Sequence, residues 1–168
     1  MIKAVFFDYD GLILDTESAS YEAWSRIYNS FGLCLTLNLW RKAIGNYEYF
    51  DPKTDLENKL GRLVGDVYRE KFIIQKKLIK NLPLRKGVEK FIDKLISLKI
   101  KVVIVSNASE EWILHGLEQR NMLRKIHKII SKESVKKHKP HPEIYQKALK
   151  SLKISAEEAI AFEDWNPA

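Results

Sequence analysis

The chain has 168 residues, 45% of them hydrophobic, with 7 Gly and 5 Pro; this is the composition of a globular domain with one well-filled core and excludes disordered and fibrous proteins. No apolar run nears the roughly 18 to 20 residues of a membrane-spanning helix, and the first strand-like run meets a carboxylate at Asp8, too early for a signal peptide. The formal charge of +7 comes mainly from Lys scattered among Glu, with no zinc-finger or RNA-recognition pattern, which argues against a nucleic-acid partner. The single cysteine, Cys34, admits no internal disulfide and suits a cytoplasmic setting.

Residues 2–7 read as a strand, being short, apolar and rich in β-branched and aromatic side chains. From residue 16 helical spacing takes over. Ser20, Ala23, Trp24, Ile27, Tyr28 and Phe31 share one helical face and Gly32 closes the pattern; 39–44, 56–64 and 67–82 read as three more helices. Trp24, Tyr28 and Phe31 are expected in packing, and Cys34 as a small apolar filler. Pro83 ends this block, and strand and helix then alternate. One amphipathic helix carries Val88, Phe91, Ile92, Leu95, Ile96 and Leu98, and a strand follows over 102–105. Ser109, with Glu110 and Glu111 in the first turn, opens a helix bearing Trp112, Ile113 and Leu117. A weaker strand over 126–130 precedes a helix that Pro142 starts and Ile144, Tyr145, Ala148, Leu149 and Leu152 continue. Ser155 with Glu158 makes a capping box before the fourth strand, 159–162. The order predicts an α/β protein: a Rossmann-like parallel-sheet core from residues 1–15 and 84–168, interrupted by a small α-helical insertion over 16–83.

Chemistry collects at the strand ends. The first strand runs into Asp8-Tyr9-Asp10-Gly11, the second into Ser106-Asn107 and the fourth into Glu163-Asp164. If the strands are parallel, these ends share one edge of the sheet, where open α/β folds bind ligands. Crowded carboxylates raise one another's pKa values unless a cation compensates, and an all-oxygen set suits Mg²⁺. Such an ion shares its coordination with a substrate phosphate, so Ser106 and Asn107 read as phosphate-binding groups. Lys139, in the stiff segment before Pro140 and Pro142, is the candidate counter-charge.

Asp8-Tyr9-Asp10-Gly11-Leu12-Ile13-Leu14-Asp15-Thr16-Glu17, Val105-Ser106-Asn107, Lys139-Pro140-His141-Pro142-Glu143-Ile144-Tyr145 and Phe162-Glu163-Asp164 resemble, in order, the four motifs of the haloacid-dehalogenase-like (HAD) hydrolases. The likeness spans the whole chain and is to the phosphatase and β-phosphoglucomutase-like subgroup, whose helical cap follows motif one. It implies a HAD-like core with a cap over 16–83. Asp8 would be the nucleophile that forms an aspartyl phosphate, and Asp10 the general acid and base. Asp8, the Asp10 backbone carbonyl and Asp164 would hold Mg²⁺, with Glu163 as a further or supporting ligand. Ser106, Asn107 and Lys139 would bind the phosphoryl oxygens. Glu17, Ser20 and Tyr47 are candidate substrate or cap contacts, the last in an aromatic loop that runs on through Glu48 and Tyr49 to Phe50. His138 and His141 read as exposed loop residues.

The departures from the pattern narrow the choice. Dehalogenases lack the second Asp of motif one and phosphonatases carry Ala there, so Asp10 favours phosphate-ester hydrolysis of a small phosphorylated metabolite such as a sugar phosphate. The mutase branch carries a cap His where this chain has Ser20, which disfavours a phosphoglucomutase-type transferase. Trp165 and Ala168 stand where motif four continues with Ser and Gly. The family adds a further strand and helices beyond that point, so the chain reads as C-terminally short. Its open sheet edge would then be completed by a longer parent or by a second copy in a homo-oligomer. The alternative to an active phosphatase is therefore an impaired fragment of the fold with a binding or structural role.

Overall fold

The computed structural model describes residues 1–42 and 50–164. Within these the chain forms two compact units, Met1–Asp15 with Pro83–Ala168, and Thr16–Leu82. The first holds β1 (Ala4–Phe7), and after the second unit come α5 (Val88–Ser97), β2 (Lys101–Val105), α6 (Glu110–Glu118), β3 (Lys128–Ile130), α7 (Glu143–Leu152) and β4 (Ala159–Phe162); the second holds α1 (Thr16–Ser30), α2 (Leu37–Trp40), α3 (Pro52–Leu60) and α4 (Val67–Ile79).

Among the described residues the sheet has the order β3-β2-β1-β4 and every pairing is parallel. β1 lies at its middle, all four residues buried, as expected of a parallel strand covered on both faces. Alternate side chains go to opposite faces. Ala4 and Phe6 join Val103, Val105 and Ile130 under Ile144, Ala148 and Leu152 of α7. Phe7, on the other face, stacks on Phe162 at 5.6 Å and meets Phe91 of α5 edge-on at 5.8 Å. Each buried aliphatic or aromatic side chain in these layers contributes on the order of 1.5–3 kcal/mol. β4 is the outer strand of the described sheet, and Ile160 and Phe162 are partly exposed there.

In the helical unit Trp24, Ile27 and Tyr28 of α1 form a core with Leu35, Trp40, Leu56 and Val67, and Phe31 packs on its margin. The Tyr28 hydroxyl donates to the Pro52 carbonyl (2.7 Å) and to Asp55 (2.8 Å), which ties α1 to α3. The helix limits differ from those read by apolar spacing. α3 runs over Pro52–Leu60, because Asp51 caps it through the Thr54 amide and Gly61, at φ 63°, ends it, and α4 stops at Ile79. Apolar periodicity does not register a polar first turn. Cys34 also departs from expectation: it is exposed, and its neighbour Leu35 fills the core instead. Ser155 and Glu158 do form a capping box, but over the 3₁₀ turn Ala156–Glu158. Among the described residues no helix is long and apolar enough to cross a membrane.

Candidate active site

The parallel register puts the carboxyl ends of the central strands side by side. Phe7 pairs with Ile104 and with Phe162, so Asp8 stands one residue beyond β1 next to Glu163 beyond β4. The Asp8 amide donates to the Phe162 carbonyl at 3.0 Å, and the Ser106 amide to the Ile130 carbonyl at 3.0 Å. Main-chain bonds thus carry on past the strands and fix the points from which these side chains leave.

Lys139 links the groups. Its Nζ lies 3.3 Å from Asp8 Oδ1 and 2.8 and 2.9 Å from the two oxygens of Glu163. The Lys139 and Asp8 side chains are only 16% and 15% exposed, so their attraction is weakly screened. The ammonium also sits 5.3 Å from the ring centre of Tyr145, whose hydroxyl donates to Glu163. Asn107 holds the lysine's main chain at both ends: the Lys139 amide donates to Oδ1 (2.9 Å), and Nδ2 donates to the Lys139 carbonyl (3.1 Å). One donor and one acceptor position of its amide thus place Lys139. Ser106 is buried and its Oγ accepts from the Ala108 amide at 3.2 Å.

Gly11 supplies the room for the last carboxylate. Its φ of +75° suits glycine, and a Cβ there would lie 1.8 Å from Asp164 Oδ2. Asp164 is exposed as a residue, yet its carboxylate is packed against this turn. Desolvation, then the charge of Asp8, raises its pKa above the ordinary range. Burial likewise raises that of Glu163, with Asp8 adding to it and Lys139 and Tyr145 opposing. Asp8 Oδ1 also accepts from the Tyr9 amide (2.8 Å), and Asp10 Oδ1 from the indole of Trp112 (3.0 Å). Arg85 Nε donates to the Gly11 carbonyl and its amide to the Ile13 carbonyl (2.9 Å), so residue 85 braces the turn.

The structure therefore gathers Asp8, Glu163 and Lys139, sets Asp164 against Gly11, and puts Asn107 behind Lys139. Glu17 lies in the first turn of α1 and Ser20 is buried on that helix, both in the helical unit; Tyr47 lies outside the described residues, as do Glu48, Tyr49 and Trp165. His138 and His141 are exposed, and His141 Nδ1 accepts from the Glu143 amide at 3.2 Å. Trp112, Tyr145 and Arg85 were not legible as site residues. The first two look like ordinary apolar positions of helices, and Arg85 like one more cation in a Lys-rich segment.

Among the described residues no three Asp, Glu, His or Cys side chains stand so as to hold a metal ion by themselves. The donors nonetheless fit Mg²⁺, which is bound through one or two carboxylates, water and phosphate. They are all oxygen, the charge of Asp8 raises the pKa values of Glu163 and Asp164, and Gly11 leaves space for Asp164.

The strand ends thus bring the carboxylates of Asp8 and Glu163 onto one lysine, with Asp164 at the adjoining turn. Residues 5–166 match the model of the haloacid dehalogenase-like hydrolases, and the chain belongs to that family. YhcW of Bacillus subtilis, a protein carrying a phosphatase name, is 35% identical over 169 residues, covering 98% of this chain and 76% of the relative. The phosphorylated carbohydrates phosphatase of Thermotoga maritima is 30% identical over 172 residues, covering 97% and 76%. A crystal structure from Thermotoga maritima under a β-phosphoglucomutase name superposes with a TM-score of 0.82 at 26% identity, covering 96% of this chain and 76% of that one. The chain is accordingly a hydrolase of the HAD-like α/β fold, and its relatives carry phosphatase names.

Proposed function

We propose that the enzyme is a Mg²⁺-dependent phosphomonoesterase for a small phosphorylated metabolite, a phosphorylated carbohydrate first of all, and that it works through an aspartyl phosphate. The observation that carries this is the placement of Lys139 Nζ 3.3 Å from Asp8 Oδ1, at the carboxyl end of the middle strand. A carboxylate is a weak nucleophile toward a dianionic phosphate unless the charge between them is offset, and a fixed ammonium does that without reorganising during the reaction.

In this reading Asp8 attacks phosphorus as the ester P–O bond breaks, and Asp10 gives its proton to the departing alkoxide. Asp10, now a carboxylate, takes a proton from water. That water attacks the aspartyl phosphate, releasing inorganic phosphate and restoring Asp8. Lys139 and Ser106 bind the phosphoryl oxygens, and Asn107 acts through the main chain of Lys139. Asp8, the Asp10 carbonyl and Asp164 would hold Mg²⁺, with Glu163 beside them on Lys139. When bound, the ion supplies further charge neutralisation at the phosphoryl group. The carbohydrate preference takes its support from the Thermotoga maritima relative.

The test is hydrolysis of p-nitrophenyl phosphate and of a panel of sugar phosphates, with Mg²⁺ and with EDTA. Expected are phosphate release that needs Mg²⁺ and a loss in Asp8→Asn of at least about three orders of magnitude. Turnover that survives EDTA or Asp8→Asn would falsify the proposal. A product that is an isomeric sugar phosphate in place of free phosphate would shift the assignment to a mutase.

A further inference from the structure

We infer that Trp112 is a positioning residue for the leaving-group step: its indole N–H holds Asp10 by Oδ1, leaving Oδ2 to carry the proton given to the alkoxide. This rests on the reading of Asp10 as the general acid.

Several observations converge on it. Trp112 Nε1 lies 3.0 Å from Asp10 Oδ1, across 102 residues of sequence. The indole is buried, and its nitrogen can only donate, so Oδ1 acts as acceptor whether or not Asp10 carries a proton. The transferable proton then belongs on Oδ2. In the step itself the Oδ2–H bond breaks, the proton passes to the leaving oxygen as the P–O bond breaks, and Asp10 is left a carboxylate still bound to the indole.

The backbone is built to deliver this contact. α6 starts just after Ser106-Asn107, and the Ser109 side chain caps it by accepting from the Trp112 amide at 3.3 Å. One turn on, at Gly116, a Cβ would stand 1.6 Å from the Tyr9 hydroxyl oxygen and 3.3 Å from Leu14 Cδ1. Residues four apart share a helix face. One face of α6 therefore receives two consecutive residues of the segment after β1: buried Tyr9 at Gly116 and Asp10 at Trp112. A short carboxylate on a turn otherwise samples several rotamers, and fixing it beforehand lowers the entropy lost in reaching the reactive geometry.

Trp112→Phe removes the N–H and keeps an aromatic ring. The expected result is a fall of about 10- to 100-fold in kcat/KM on a sugar phosphate, the size of a lost hydrogen bond to a charged group; kcat/KM contains only the steps up to the aspartyl phosphate, not the later hydrolysis in which Asp10 serves every substrate as base. On p-nitrophenyl phosphate, whose leaving group needs no proton, the fall should be no more than about threefold. A merely structural tryptophan would depress both substrates alike, and equal losses, or none, would overturn the inference. Placing 3-benzothienylalanine at position 112 exchanges N–H for sulfur within the same ring outline, and repeats the comparison should Phe disturb the fold. In the Asp10→Asn background removal of the indole N–H should have no further effect on the sugar phosphate; an additive loss counts against the inference. If the wild-type protein hydrolyses neither substrate, the phosphatase reading falls and takes this inference with it. A wild-type enzyme that is active while its variants lose both substrates equally overturns the role of Trp112 alone.

Discussion

Asp51 in the helical unit and Asp164 in the sheet unit are both carboxylates short of full burial, yet their protonation equilibria move in opposite directions. Burial pushes Asp51 up, but the Thr54 hydroxyl, the Tyr68 hydroxyl and the amides of Thr54 and Lys53 together hold its pKa below the ordinary carboxylate range. Asp164 is raised, by desolvation and by Asp8. The helical unit surrounds its acid with donors, as a helix cap requires. The sheet unit places its acid beside another acid, at a cost that Lys139 and Arg85 relieve only in part. If Asp164 serves the proposed chemistry, a carboxylate of the fold and one of the site are told apart by their neighbours.

Two lysines sharpen this contrast with the largest expected effect. Lys139 contacts Asp8 and Glu163 at the strand ends, while Lys59 pairs with Asp55 at 2.7 Å on the surface of α3. Lys139→Met should lower kcat by about 10² to 10³, since a fixed charge facing the transferring group is lost. Lys59→Met should leave kcat unchanged and cost at most about 0.5 kcal/mol by urea unfolding. Equal effects of the two changes on turnover would erase the distinction between the units.

Two glycines make the next comparison. Gly11 and Gly61 both have positive φ, 75° and 63°, but a Cβ meets Asp164 at Gly11 and nothing within 4 Å at Gly61. Gly61→Ala should therefore show only the backbone strain, about 1–2 kcal/mol of stability, with full activity. Gly11→Ala adds displacement of Asp164 and should reduce turnover about a hundredfold. Full activity in Gly11→Ala would show that Asp164 can shift without consequence.

Much of this arrangement is legible in the sequence where a strand or a cap announces it. The runs around Phe6, Ile104 and Ile160 carry the period and composition of strands, and once the strands are parallel Asp8, Ser106 and Glu163 must emerge at one edge. What stays hidden is set by tertiary packing. Trp112 reaches Asp10, and Tyr145 reaches Glu163, only because α6 and α7 dock at particular offsets. Neither offset is written in an apolar pattern. Asn107 is similar: its type suggests a phosphate ligand, but its two hydrogen bonds to the Lys139 main chain emerge only in three dimensions. Cys34 fails for a simpler reason, since small apolar side chains are expected inside and the turn after Gly32 directs Leu35 there.

The smallest effect concerns Asp51 itself and tests the other half of the contrast. Its carboxylate accepts from the Thr54 amide at 2.9 Å and from the Thr54 hydroxyl at 2.6 Å, and Tyr68 donates to it as well. Asp51→Ala should cost about 1 kcal/mol at pH 7 by urea unfolding, the usual size of an N-cap. The sign of its pH dependence follows from the lowered native pKa. The charge contributes fully above the unfolded value, about 3.9, and is lost as pH falls through the native one. The gap between wild type and Asp51→Ala should accordingly narrow below about pH 4, whereas Asp51→Asn, which keeps a capping oxygen without the charge, should track wild type more closely in acid than at pH 7. A gap that stays constant from neutral to acid would mean that the donors around Asp51 stabilise no charge, and the opposition between Asp51 and Asp164 would lose its physical basis.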